Sequence, residues 1–176
     1  MKRIILLAVA LMVASSNDKI CETKLDKMQG CVIKEYQGKV LVKETPYKNN
    51  KINGIVKEYY PSNGKLKFKD TVKDDASNGK REAFYSDGQL EYSVFCKNGK
   101  VADGTNKMFY DNGKVKLETS TLNGVLHGET KIYKRNGELA LTVDFKNDNV
   151  VNKSLIISGE IMPIYQSIPV VKKLCK

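Results

Sequence analysis

The sequence has no tryptophan and only one histidine, and both scarcities exclude chemistry. With His127 alone there is no pair of imidazoles to hold a zinc ion, and the four cysteines form no Cys-x-x-Cys. No Gly-x-Ser-x-Gly elbow, complete phosphate-cradling glycine loop or kinase signature set occurs, and Asn78-Gly79-Lys80 lacks the rest of a P-loop. A lone general base needs a nucleophile and an orienting carboxylate, and Glu129 and Thr130 beside His127 make no such constellation. No catalytic, metal or cofactor site is therefore expected, and the chain reads as a non-enzyme.

Long hydrophobic runs are missing too. The apolar stretch Ile4–Val13 is about half the roughly 20 residues that a membrane-spanning helix needs. Lys2 and Arg3 precede it and Ala14-Ser15-Ser16 follow it, the pattern of an export signal. Residues 1–16 are read as a signal peptide cleaved near Ser16, which places the mature chain in a periplasm, at a cell surface or outside the cell. Cys21 follows Asp18-Lys19-Ile20, which lacks the small residues that lipidation requires. The hydrophobic fraction of 41% and charged fraction of 28% are those of a chain that folds.

The formal charge is +10, and removal of residues 1–16 leaves +8. All four cysteines, Cys21, Cys31, Cys96 and Cys175, lie beyond the signal. Disulfides are expected in an exported chain, and four cysteines permit three pairings that sequence does not separate.

What the chain has in abundance is repetition. The glycines Gly64, Gly88, Gly113 and Gly137 are 24 or 25 residues apart, and Gly54, Gly79, Gly104 and Gly128 keep the same interval. A fixed period in this range marks a repeat architecture. The first set sits in Ser62-Asn63-Gly64, Ser86-Asp87-Gly88, Asp111-Asn112-Gly113 and Arg135-Asn136-Gly137. Asn-Gly or Asp-Gly between alternating runs signals a hairpin, because tight turns need the positive φ that these residues accept.

The second and fourth residues after each turn are apolar: Leu66 and Phe68, Leu90 and Tyr92, Val115 and Leu117, Leu139 and Leu141. Period-two alternation places them on one face, with Lys65, Lys67 and Lys69, or Lys114 and Lys116, on the other. Those five lysines are the candidate face for an anionic partner, although Gln89, Glu91 and Glu138 interrupt the stripe. Four residues before each turn stands an aromatic, Tyr60, Phe84, Phe109 or Tyr133, expected to form a packing ladder. An irregular first copy, from Gly30 through a Gln37-Gly38 turn, has Val40 and Val42 at the apolar places and raises the count to five hairpins.

The segments Gly79-Lys80-Arg81-Glu82-Ala83-Phe84-Tyr85-Ser86-Asp87-Gly88-Gln89-Leu90 and His127-Gly128-Glu129-Thr130-Lys131-Ile132-Tyr133-Lys134-Arg135-Asn136-Gly137-Glu138-Leu139 resemble MORN repeats, particularly the bacterial variant form. The resemblance covers about residues 30–150 and is closest at Asn123-Gly124-Val125-Leu126-His127-Gly128. It implies an all-β fold, a single extended antiparallel meander of successive hairpins. It departs at Lys69–Asp75, where a longer joint is expected to loosen pairing around Gly64 and Gly88. Some relatives are labelled antitoxin components that neutralise a partner protein by binding.

The organisation expected is a signal (1–16), a lead-in without clear period (17–29), a repeat domain (30–150) and a non-repeating C-terminal cap (151–176). Ser154–Gly159 reads as a short strand. Pro163 and Pro169 disfavour a helix over Glu160–Leu174, so the cap is expected to be extended and to close the last hairpin, with Cys175 returning to Cys96 among the pairings open to it. As to function, the chain reads as an interaction module for an unidentified protein or an anionic lipid surface. The alternative is an antitoxin. Nucleic acid is not expected of an exported chain without arginine clusters, and exposed sheet edges allow an edge-to-edge homodimer.

Overall fold

The computed structural model describes residues 19–154 and 162–175. The signal expected over residues 1–16 lies outside them, as does the part of the expected Ser154–Gly159 strand from Leu155 onward.

Among the described residues, a helix, α1 (Lys24–Gln29), is followed by thirteen strands in one antiparallel sheet. They are β1 (Cys31–Gln37), β2 (Val40–Lys48), β3 (Lys51–Ile52), β4 (Gly54–Tyr59), β5 (Leu66–Lys73), β6 (Ala76–Phe84), β7 (Leu90–Lys97), β8 (Lys100–Val101), β9 (Gly104–Phe109), β10 (Val115–Leu122), β11 (Val125–Tyr133), β12 (Leu139–Lys146) and β13 (Asn149–Ser154). Each long strand pairs with the next in sequence, while the short β3 and β8 pair with β2 and β7. The chain ends in α2 (Met162–Ser167) and a 3-10 segment (Ile168–Lys173).

Two kinds of turn alternate along the meander. The joints between hairpins are two-residue turns with positive φ at both positions: Asn49-Asn50, Asp74-Asp75, Asn98-Gly99, Asn123-Gly124 and Asn147-Asp148. Their twist matches that of the flanking strands. The joint at Asp74-Asp75 is as tight as the rest, and the register break of β5–β6 between Asp70 and Val72 is the one that β10–β11 carries between Thr119 and Thr121, so pairing there is no looser than in the later repeats. Asp75 compensates for its lack of glycine by accepting from the Ile52 amide at 2.7 Å while its own amide donates to the Ile52 carbonyl.

The opposite turns, at Gly64, Gly88, Gly113 and Gly137, bring a correction. Leu66 pairs with Tyr59 but Phe68 pairs with Glu58, so Lys67 is an extra residue bulged out of register. The same shift recurs at Glu91, Lys116 and Ala140. Residues directly opposite one another share a face, and a bulge switches which face follows. The two apolar residues after each turn therefore lie on opposite faces: Leu139 is 54% exposed whereas Leu141 is 2% exposed. In the first hairpin the loop is Gly38-Lys39 and the bulge moves to Val42, with Leu41 opposite Tyr36. The aromatic row is corrected too. The Gly64 turn has one residue more than the others, so Tyr59 takes the place of Phe84, Phe109 and Tyr133, and Tyr60 aligns with Tyr85 and Tyr110.

The face carrying Leu117, Ile132, Leu141 and Val143 is the inner face, and its core is completed by Ile164, Ile168 and Val171 of the C-terminal segment. The extended cap expected from Pro163 and Pro169 is instead helical. Pro163 is the second residue of α2, where its missing amide would have had no intrahelical partner, and Pro169 is the second residue of the 3-10 segment, at the point where α2 gives way to it. Cys175 is bonded to Cys96 on β7, and the pair packs with Val94, Val101 and Leu174. At the other end of the sheet Cys21 is bonded to Cys31. The lead-in contains a capping box: Thr23 Oγ accepts from the Asp26 amide and Asp26 Oδ2 from the Thr23 amide. Lys19 and Cys21 bond with Val32, covering part of the β1 edge, and β13 forms the other end of the sheet.

Candidate functional site

The five lysines singled out in the sequence fall in three different settings. Lys65 Nζ donates to the Asp87 carbonyl at 2.7 Å and Lys114 Nζ to the Asn136 carbonyl at 2.6 Å, each bridging to the turn one repeat on. Asn63 and Asn112 do likewise, donating to the Ser86 and Arg135 carbonyls. Lys67 and Lys116, the bulge residues, lie over the rings of Tyr60 and Tyr110, both at 5.8 Å. Lys69 pairs with Glu82 at 2.7 Å on the outer face. The structure does not gather these ammonium groups on one surface.

Acids alternate with bases across the outer face. Glu44 stands between Lys34 and Lys57, Glu82 meets Lys69 and Lys80, and Glu118 meets Lys107. The Tyr59 hydroxyl, donating to Glu44 at 2.6 Å, holds that carboxyl below the usual range; burial opposes it, and Lys57 and Lys34 assist. The same carboxylate, with burial the larger cause, pushes the Tyr59 phenol up. Burial raises Glu82, but Lys69 and Lys80 together outweigh it and leave the carboxyl depressed. Sequence reasoning missed this cross-strand charge pairing, because register decides which charges meet.

The inner face differs between its two halves. From Met108 through Leu117 and Ile132 to Leu141 the row is apolar and borders the C-terminal segment. Continuing toward the N-terminus, the same row runs through Tyr92, Ala83 and Phe68 to Glu58. There it forms a groove of about 340 Å³ lined by β4–β7 and the turn residue Tyr60. The Arg81 guanidinium lies over the Phe68 ring at 4.7 Å. Beneath it Ser77 Oγ donates to Asp70 Oδ2 at 2.5 Å, and Arg81 Nη1 reaches the same oxygen at 3.3 Å.

Burial pushes the Asp70 carboxyl up, against the Ser77 hydroxyl and the Arg81 charge. Burial also pushes the Tyr92 phenol up, against its hydrogen bond with Arg81. The groove is mixed in character: Tyr60, Phe68, Ala83 and Tyr92 supply apolar surface, and Glu58, Lys67, Arg81 and Glu91 supply charges of both signs. One signal for this place existed in the sequence: Asp70 interrupts the alternation between Phe68 and Val72, where the equivalent later strand carries Thr119.

His127 Nδ1 lies 3.2 Å from Asn147 Oδ1 at a hairpin joint, which makes it part of the turn stacking. No cluster of three or more histidine, cysteine, aspartate or glutamate side chains able to hold a metal occurs among the described residues. Among them no helix is long and apolar enough to cross a membrane.

Residues 77–101, 102–123 and 126–147 match the model of the MORN repeat variant family. The matches divide the sheet near its joints, and the earlier hairpins outside them carry bulges of the same kind beside turns of different length. No curated protein matches the chain. Residues 77–147 of this meander of bulged hairpins are thus three consecutive repeats of the MORN repeat variant type.

Proposed function

We propose that this chain is a non-catalytic interaction module of an oxidising, extracytoplasmic compartment, and that it grips a short amphipathic helix of a partner protein in the groove at Phe68, Arg81 and Tyr92, with apolar side chains on the rings and polar ones toward Glu58, Lys67, Arg81 and Glu91. MORN repeats are typically protein or membrane interaction modules, and the family is generally non-catalytic. The observation that carries the reading is the occupancy of the inner face. The chain's own C-terminal segment, with Ile164, Ile168 and Val171 at helical spacing, packs on the row at Leu117, Ile132 and Leu141, and that row continues into the groove. A sheet face that holds one helix by its aliphatic side chains suits a second, amphipathic one on the adjoining repeats, where rings alternate with charges. The two disulfides support an exported chain over a cytoplasmic antitoxin, since such bonds persist in oxidising compartments.

The partner reading is tested by titrating the isotopically labelled chain with a synthetic peptide of residues 162–173, the helical sequence that already fits this face. Saturable shifts of the Phe68, Arg81 and Tyr92 amides, weakened by Phe68→Ala, are expected. Shifts confined to the outer face, or none at millimolar peptide, would sink it. The compartment is tested by intact mass with and without reduction. A full-length chain with free thiols in the cytoplasm would overturn the exported reading and favour the antitoxin.

A further inference from the structure

We propose that the C-terminal segment is a strap latched by the Cys96–Cys175 disulfide, and that a dithiol reductant releases it and uncovers the apolar inner face of β10–β12. The inference goes beyond the partner reading and does not depend on it. Its warrant is the division of labour between sheet and strap. The backbone ladder of β9 to β13 is complete without the strap, because each strand pairs with its sequence neighbours. The strap is a short α-helix that runs directly into a 3-10 segment, together no longer than the roughly 12 to 15 residues at which an isolated helix is marginal, so its form depends on docking.

It docks chiefly through aliphatic side chains: Ile164, Ile168 and Val171 are at most 6% exposed, and Leu174 packs beside them. The bond joins residues 79 apart and fixes the far end of the strap to β7, which makes docking intramolecular from both ends. The Cys21–Cys31 bond differs, closing only 10 residues at the end of the sheet.

The exchange balances. One thiolate of the dithiol attacks a sulfur of the bond and displaces the other cysteine as thiolate. The second thiol then closes on the mixed disulfide, leaving two protonated cysteines and a cyclic disulfide. Two electrons and two protons pass from reductant to protein. Cys96 is 4% and Cys175 1% exposed, shielded by Val94, Val101 and Leu174, so attack requires the strap's end to lift first. Release uncovers Leu117, Ile132, Leu141 and Val143, each at most 2% exposed while the strap is docked.

The test is hydrogen exchange read by mass spectrometry on the full chain, before and after dithiothreitol. Amides in fragments covering 162–175 are expected to exchange at least about tenfold faster after reduction, while fragments of β10–β12 keep their protection. Unchanged protection of 162–175 would overturn the proposal. So would loss of protection in β10–β12 along with the strap, which would make the bond a staple of the whole fold. Repeating the measurement on Cys21→Ser/Cys31→Ser isolates the latch. A response that disappears in that variant assigns it to the other bond and also overturns the proposal.

Discussion

Tyr85 donates its phenolic hydrogen to the carbonyl oxygen of Phe109, 2.8 Å away and one repeat further along the chain. Tyr60 makes the same bond to Phe84 at 2.7 Å and Tyr110 to Tyr133 at 2.8 Å. A side chain of each repeat thereby satisfies the backbone of the next, at the turn edge where strand pairing has ended. The series closes at Lys134, whose amide bonds to Glu138 as the tyrosine amides bond within their own turns.

Replacing Tyr85 or Tyr110 by phenylalanine keeps the ring and removes the bond. Each change is expected to cost about 1 kcal/mol, the net worth of a partly buried hydrogen bond. Tyr110→Ala also removes a ring that is 8% exposed in the core and is expected to cost about 3 to 5 kcal/mol. Urea unfolding of the three variants checks the order. Equal losses for Tyr110→Phe and Tyr110→Ala would contradict it.

The bulges predict opposite outcomes for two leucines only two residues apart. Leu141→Ala empties a fully buried site and should cost about 2 to 5 kcal/mol, whereas Leu139→Ala, on the outer side, should stay within about 1 kcal/mol. Thermal or urea midpoints give the comparison. If simple alternation held across the turn, the two losses would match.

Gly79 has φ +140°, and a Cβ there would lie 2.8 Å from the Thr71 Cβ; at Gly38, φ +63°, nothing lies within 4 Å of the added atom. Gly38→Ala carries only the local cost of left-handed backbone, about 1 kcal/mol. Gly79→Ala adds a clash against an adjacent strand and should lose more than Gly38→Ala does, on the order of 2 kcal/mol or above. The difference between their unfolding free energies is the quantity to measure.

Acid should weaken the fold through the outer-face carboxylates. The Tyr59 hydroxyl, aided by lysines, depresses Glu44 in the folded state, and Lys69 and Lys80 depress Glu82 against the pull of burial. For such groups the unfolded chain binds protons more readily. Their stabilisation is therefore complete above the ordinary value of 4.5 and is lost as pH falls through the lower folded value. Asp70, raised by burial, has the opposite sign: its contribution is complete below its ordinary 3.8 and is lost as pH rises through the higher folded value. Circular dichroism across an acid titration should show Glu44→Gln and Glu82→Gln flattening the fall in stability below about pH 5. Asp70→Asn should steepen it.

Much of the architecture was legible in residues that act locally. The glycine interval, Asn-Gly and Asp-Gly turns and alternating aliphatics yield an all-β meander, and an even set of cysteines in a chain with a signal-like start yields disulfides. The helical cap was misread because Pro163 and Pro169 were judged as interior residues of one regular helix, whereas Pro163 sits in the first turn of α2 and Pro169 where α2 gives way to the 3-10 segment. α1 was missed although Thr23-Lys24-Leu25-Asp26 spells a capping box. The groove at Phe68 and Arg81 gave little warning, since its residues come together only across four paired strands.

The sequence alone determined how many hairpins there are and in what order, because a turn with positive φ is selected by the residue that adopts it. The tertiary structure decided which face each side chain occupies. A bulge at Lys67, Glu91, Lys116 or Ala140 exists only in relation to the strand opposite, so no property of those residues announces it. It also decided where the C-terminal segment lies, since the aliphatic row beneath it and the cysteine that anchors it are contributed by strands remote in sequence.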